Sequence, residues 1–144
     1  MDNQLLEAKL NQLLHILTET EGWLAVSAEA FSQEIKLVRA CQRNLQLLVE
    51  YASDINGILI LELGRKAPGS YRESFAAVFG MDFASILSEA DRAALLASVD
   101  WRNDLIHEYE PEESNEAFYG KLKEFIAAYR TYARLIHSRF SPGQ

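Results

Sequence analysis

Apolar residues recur at helical spacing along almost the whole chain. Leu6, Leu10, Leu13 and Leu17 fall 4, 3 and 4 apart. That is one face of an amphipathic helix from about Asp2 to Thr18, closed by Gly22, with Trp23 packing in the connection. Phe31, Ile35, Val38, Cys41, Leu45, Leu48, Ala52, Ile55 and Leu59 keep the same rhythm. They predict one long helix from about Ala28 to Leu63, the central member of a bundle. Leu47, Tyr51, Ile58 and Leu61 widen its apolar face, so more than one neighbour packs on it. Gly57 weakens this helix and marks a kink or a close approach. Ser70 with Glu73 forms a capping box for a short helix, Tyr71 to Phe79, ended by Gly80. Ser88 with Asp91 opens another helix that ends near His107. Phe118, Leu122, Phe125, Tyr129, Tyr132 and Ile136 define a last helix from about Asn115 to His137. No stretch shows the period of a strand. The pattern predicts an all-α, up-and-down bundle of about five helices, one domain over residues 1–144, with residues 140–144 fraying.

The helix ending near His107 breaks its own pattern. Leu95, Val99 and Ile106 share one face, and Trp101 and Leu105 are apolar on another, so neighbours should enclose it. Yet Arg102 stands where the stripe calls for an apolar residue, and Asn103 and His107 follow. A buried charge must be paired or hydrogen-bonded, so these groups need partners or a task. Asn103 and His107, four apart, share a face. Arg102 and His107 are five apart and diverge by roughly 140° on a regular helix. Pro111 holds Glu110 out of the α region and ends the helix here. The long arginine, or a second copy of the chain, would have to close that angle.

A 144-residue chain suits one domain with a real core. Its single cysteine, Cys41, allows no internal disulfide and lies in the long seam, so a structural thiol in a reducing cytoplasm is expected. No run reaches the ~20 apolar residues of a membrane span, and the N-terminus has no signal-peptide pattern. The net charge of −7 argues against broad attraction to nucleic acid. A local cluster in mid-chain, including Arg39, Arg43, Arg65, Lys66, Arg72 and Arg102, could still hold phosphates.

The usual chemical signatures are missing: no phosphate-binding glycine loop, no His-Glu-x-x-His, no Cys-x-x-Cys. Three scattered histidines and one cysteine make a metal site, or any cofactor, unexpected. His15 reads as a boundary histidine and His137 as a helix-terminal one. The aromatic stripe of the last helix reads as core. Glu50 and Asp54, four apart on the long helix, read first as solvated or paired with arginine, and otherwise as taking a direct role in the site. Arg65 and Lys66 read first as charges complementing a helix C-terminus, and otherwise as contacts to RNA phosphate. Arg102 and His107 supply types that metal-free RNA cleavage needs: a guanidinium for the phosphate and an imidazole for proton transfer. One histidine does not readily serve as acid and base at once; two chains would bring two. Spacing alone favours a structural role, with Arg102 paired to a carboxylate of the long helix, Asn103 bonded to a carbonyl and His107 capping the helix.

The run Arg102-Asn103-x-x-x-His107-x-Tyr109 after a helical segment resembles the signature of the HEPN superfamily, in particular the HepT-like toxins. Pro68 to Phe75 resembles the segment that precedes the motif there, and the long helix with Glu50 and Asp54 fits too. The likeness spans about Phe31 to Ile136. It implies a homodimeric, metal-independent ribonuclease toxin of a type VII-like toxin–antitoxin system, acting on a structured RNA such as tRNA. Arg102 and His107 would be catalytic and Asn103 supporting. Tyr109 would receive AMP from a partner nucleotidyltransferase antitoxin like MntA. Two alternatives remain open: a non-catalytic helical module that holds a nucleotide or supports a partner, and a plain interaction bundle.

Overall fold

A computed structural model describes residues 3–106 and 114–140. They form six helices and one 3₁₀ turn, with no strand among the described residues. In order these are α1 (Asn3–Trp23), α2 (Ala28–Gln33), α3 (Ile35–Glu62), α4 (Tyr71–Phe79), the 3₁₀ turn (Asp82–Ile86), α5 (Glu89–Ile106) and α6 (Asn115–Phe140). Helices α1, α3, α5 and α6 close a ring, in which α3 packs on α1 and α5, and α6 packs on the same two. The short α4 leans on α3 and α5, and α2 on α3 and α6. The bundle is all-α, as the periodicity predicts. None of its helices is long and apolar enough to cross a membrane among the described residues.

The stripes point inward. Leu6, Leu10, Leu13 and Leu17 of α1 are buried, as are all six positions read along α6. Phe75 of α4 sits with Tyr129 and Tyr132 of α6 in edge-on contacts at 6.3 and 5.9 Å. Edge-to-face pairing aims positive ring edges at negative ring faces, a gain beyond the area buried.

Two boundaries differ from the periodic reading. The long helix is broken at Glu34, whose φ of −102° and ψ of 89° leave the helical region. Glu34 closes α2 by donating its N–H to Phe31, and it opens α3 by accepting from the Lys36 N–H. The break lets α2 seat Phe31 against Phe118 and Tyr119 of α6, while Ile35, next in the stripe, is 51% exposed. Apolar spacing runs straight across this joint and so hides it. Helix α1 outruns its expected end near Thr18 and includes Gly22 and Trp23. Its last turn is tied down: buried Thr20 accepts from Asn44 of α3 at 3.0 Å, and Arg130 of α6 donates to Glu21 at 2.9 Å. Helix α3 runs unbroken through Gly57, where an added Cβ would meet nothing within 4 Å, so that glycine marks no close approach. At the far end of α3, Gly64 adopts φ +70°, the left-handed conformation glycine takes without a Cβ penalty, and the Arg65 N–H reaches back to the Ile60 carbonyl.

Candidate active site

Helix α5 carries Arg102 and Asn103, the first residues of the motif, near its C-terminal end. Ser88 starts it by accepting from the Asp91 N–H at 3.0 Å. Leu95, Ser98 and Val99 are buried, and Trp101 packs on Phe118 at 5.4 Å between ring centres. The Ser98 hydroxyl meets the Tyr129 phenol at 2.8 Å, which pins α5 to α6. These contacts fix the rotation of α5 and turn Arg102 toward α3 and α4.

Arg102 has a side chain only 16% exposed, and its charge has a carboxylate 3.8 Å away, Glu50 on α3. Nη2 also donates to the Tyr71 phenol at 3.3 Å, and Nη1 to Asn103 Oδ1 at 3.4 Å. The guanidinium lies over the Tyr71 ring, 4.6 Å from its centre, a cation–π contact. Nε is buried and has no partner among the described residues. The sequence demands a partner for an arginine in an apolar stripe, and Glu50 is that partner. Asp54, one turn on, pairs instead with Lys9 of α1 at 3.1 Å.

Beside Arg102 opens a cleft of about 420 Å³, lined in part by Ser53, Gly69, Ser70, Tyr71 and Asn103. One wall is the start of α4. Ser70 accepts from the Glu73 N–H at 3.1 Å, the N-cap expected there, while the Glu73 carboxylate accepts from the N–H of Gly69 at 2.8 Å, one residue before the cap, instead of closing the box on Ser70. Arg72 also lines the cleft, but its Nη1 is bound to both carboxylate oxygens of Asp100 at 2.9 and 3.0 Å and to the Leu96 carbonyl at 3.3 Å. Its charge is engaged in tying α4 to α5. Arg65 and Lys66 are exposed after the end of α3.

The structure therefore brings Arg102 and Asn103 together with Glu50 and Tyr71. His107 and Tyr109 lie outside the described residues. His15 and His137 are exposed, with His15 4.0 Å from Glu19 on its own helix. Cys41 is fully buried in α3, and burial pushes its thiol up to about 11. Tyr71 is a site residue that the sequence does not reveal, standing there only as the first residue of a short helix. No local signal ties it to a residue 31 positions away.

An all-α ring that presents a part-buried arginine and its neighbouring asparagine at one end of a motif helix defines a small helical domain of the HEPN type. The chain belongs to the HepT-like ribonuclease family, whose family model matches residues 13–133. No curated protein matches it.

Proposed function

We propose that this protein is a ribonuclease toxin that cleaves RNA without a metal ion, using Arg102 and His107, and that it works as a homodimer. The observation that carries this reading is the seating of Arg102. A guanidinium is held by Glu50, Tyr71 and Asn103, beside a cleft, five residues before a histidine. Arginine keeps its charge at any physiological pH and offers a fork of donors that matches phosphate oxygens. Imidazole titrates near neutrality, so it can take a proton at one step and return it at the next.

The reaction is transesterification. The 2′-oxygen attacks the adjacent phosphorus as a base removes its proton. The bond to the 5′-oxygen breaks as an acid protonates that oxygen, leaving a 2′,3′-cyclic phosphate and a 5′-hydroxyl. Arg102 neutralises the charge that gathers on the non-bridging oxygens, where a positioned donor acts most strongly. His107 of each of two chains would supply one acid and one base, and Asn103 supports Arg102. Arg65 and Lys66, exposed and basic, are the candidates for holding flanking phosphates.

Control falls to Tyr109, through transfer of AMP from a nucleotidyltransferase antitoxin of the MntA kind. Two residues from His107, an added adenylate would compete with substrate phosphate for Arg102. The substrate is a structured RNA, with tRNA the first to test.

The deciding experiment incubates the purified chain with bulk tRNA, with and without EDTA. Cleavage should survive EDTA, and His107→Ala and Arg102→Ala should each lose ~10²-fold or more in rate while remaining folded. Persistence of cleavage in both variants, or its abolition by EDTA, refutes the mechanism. A non-catalytic supporting module would instead bind its partner normally with both residues changed. Light scattering at micromolar concentration should give a dimer. Intact and peptide mass after co-expression with the nucleotidyltransferase should place one AMP on Tyr109. An unmodified Tyr109 in a neutralised protein would mean control by binding alone.

A further inference from the structure

We infer that Tyr71 is the positioning residue for Arg102, and that with Glu50 it holds the guanidinium in a fixed plane beside the cleft that Tyr71 and Asn103 line. This rests on the ribonuclease reading above, in which Arg102 meets the scissile phosphate.

The geometry comes from three helices. Arg102 stands on α5, Glu50 on α3 and Tyr71 on the first turn of α4. Tyr71 touches the guanidinium twice, with its ring face at 4.6 Å and its phenol oxygen at 3.3 Å from Nη2. A ring face fixes the plane of a guanidinium, and a hydrogen bond in addition fixes its rotation within that plane. Glu50 adds the opposite charge at 3.8 Å, longer than a direct hydrogen bond, so it steadies the cation without saturating it. Arginine otherwise carries large side-chain freedom, and holding it beforehand removes an ordering cost from the reaction step.

The backbone under Tyr71 is itself anchored on both sides. The Ser74 hydroxyl donates to the Tyr71 carbonyl at 2.7 Å and accepts from Asn56 of α3 at 3.2 Å. Arg72, the next residue, is bound to Asp100 of α5. The phenol is thus referenced to both helices that carry its partners. A tyrosine needed only to fill the inward side of α4 would have no need of a hydroxyl in reach of a cation, nor of anchors to α3 and α5 on either side.

The test uses Tyr71→Phe, Tyr71→Ala and Glu50→Gln in the full chain, with folding checked by circular dichroism and thermal melting. On bulk tRNA, Tyr71→Ala should lower kcat by ~10-fold or more with KM within about threefold, and Tyr71→Phe, which keeps the ring face, should recover most of that loss. Glu50→Gln should fall between them. Added to Arg102→Ala, Tyr71→Ala should cost less than about twofold more, because the two act as one unit. Full kcat in folded Tyr71→Ala, a loss confined to KM, or losses that add to those of Arg102→Ala would overturn the assignment. An independent readout is ¹⁵N relaxation of the Arg102 Nε–H. It should be as ordered as backbone in the wild type and in Tyr71→Phe, and mobile in Tyr71→Ala. If the wild type cleaves no RNA, the ribonuclease reading fails, and this relaxation contrast still decides whether Tyr71 holds Arg102: an Nε–H equally mobile in wild type and Tyr71→Ala sinks the clamp.

Discussion

The Tyr132 phenol stands 2.5 Å from Asn56 Oδ1, across the core between α6 and α3, with both residues fully buried. The two helices meet there through side chains, since α1 and α5 separate them around the ring. The same phenol lies 3.3 Å from the Ala52 carbonyl. The Asn56 amide donates onward to Ser74, and Ser74 to the Tyr71 carbonyl. A chain of hydrogen bonds therefore runs from the middle of the core to the turn that places the candidate site. Each link lies where an unmet polar group is costly, so the chain specifies one register of α3 against α4 and α6.

Tyr132→Phe should destabilise the fold by ~1–3 kcal/mol, because it strands Asn56 Oδ1 without a donor while keeping the ring. Urea denaturation measures this directly. A change below ~0.5 kcal/mol, the range of surface substitutions, would show that water or a shifted side chain replaces the lost hydroxyl.

Alkaline pH should unfold this protein through two tyrosines. Burial pushes both the Tyr129 and the Tyr132 phenols well above their ordinary value, against a smaller lowering at Tyr129 from its bond to Ser98. Below the unfolded value of about 10, neither state ionises these phenols and their contribution is complete. Above it the unfolded chain releases protons that the native state retains, so stability falls as pH rises toward the folded values. The urea midpoint should drop steeply between about pH 9.5 and 11.5, and tyrosinate absorbance from these two residues should appear only with unfolding. Ionisation of all tyrosines near pH 10 in a still-folded protein would contradict the burial.

Much of this was legible in the sequence where one helix is read against water. The leucines of α1 and the aromatics of α6 announced their inward faces by period alone. Ser70 with Glu73 and Ser88 with Asp91 announced helix starts, because a cap is a local bond. The joint at Glu34 was not legible: Phe31, Ile35 and Val38 keep the apolar rhythm across it, and only the seat of Phe31 on α6 requires the break. Arg102 in an apolar stripe signalled a buried partner, and Glu50 was one of two carboxylates in view. Tyr71 was invisible as a site residue, since its meeting with Arg102 depends on how α4 sits on α3 and α5. Asn44 and Asn56 were likewise silent; a polar residue in a seam declares itself only once its partners on other helices are placed.

Cys41 should resist thiol reagents in the native protein. It is fully buried, and its thiol, raised to about 11, is almost wholly protonated at pH 8, whereas the thiolate is the nucleophile. Alkylation by iodoacetamide at pH 8 should follow the rate of unfolding and become fast in urea. Rapid labelling without denaturant would mean that the first turns of α3 open locally, and would make Cys41 a poor marker of global stability.

Salt dependence should separate Arg65 and Lys66 from Arg72. A cation that contacts a phosphate releases counterions, about 0.7 per phosphate on a single strand, and so contributes to the slope of log affinity against log salt. Arg65 and Lys66 are exposed beyond the end of α3, so Arg65→Ala and Lys66→Ala should each flatten the slope by about that amount. Arg72 differs. Its guanidinium is bound by both oxygens of Asp100 and by the Leu96 carbonyl, so its charge is matched before RNA arrives. Arg72→Ala should leave the slope unchanged and act on the seating of α4, with a lower melting temperature and a weaker hold on Tyr71. Asp100→Asn should free the guanidinium and steepen the slope. The measurement is binding of a fluorescent RNA across a salt series, in the His107→Ala variant, where cleavage is expected to be slowed ~10²-fold or more. If Arg72→Ala flattens the slope as much as Arg65→Ala does, then Arg72 leaves Asp100 for phosphate in the complex, and the tie between α4 and α5 is broken each time substrate binds.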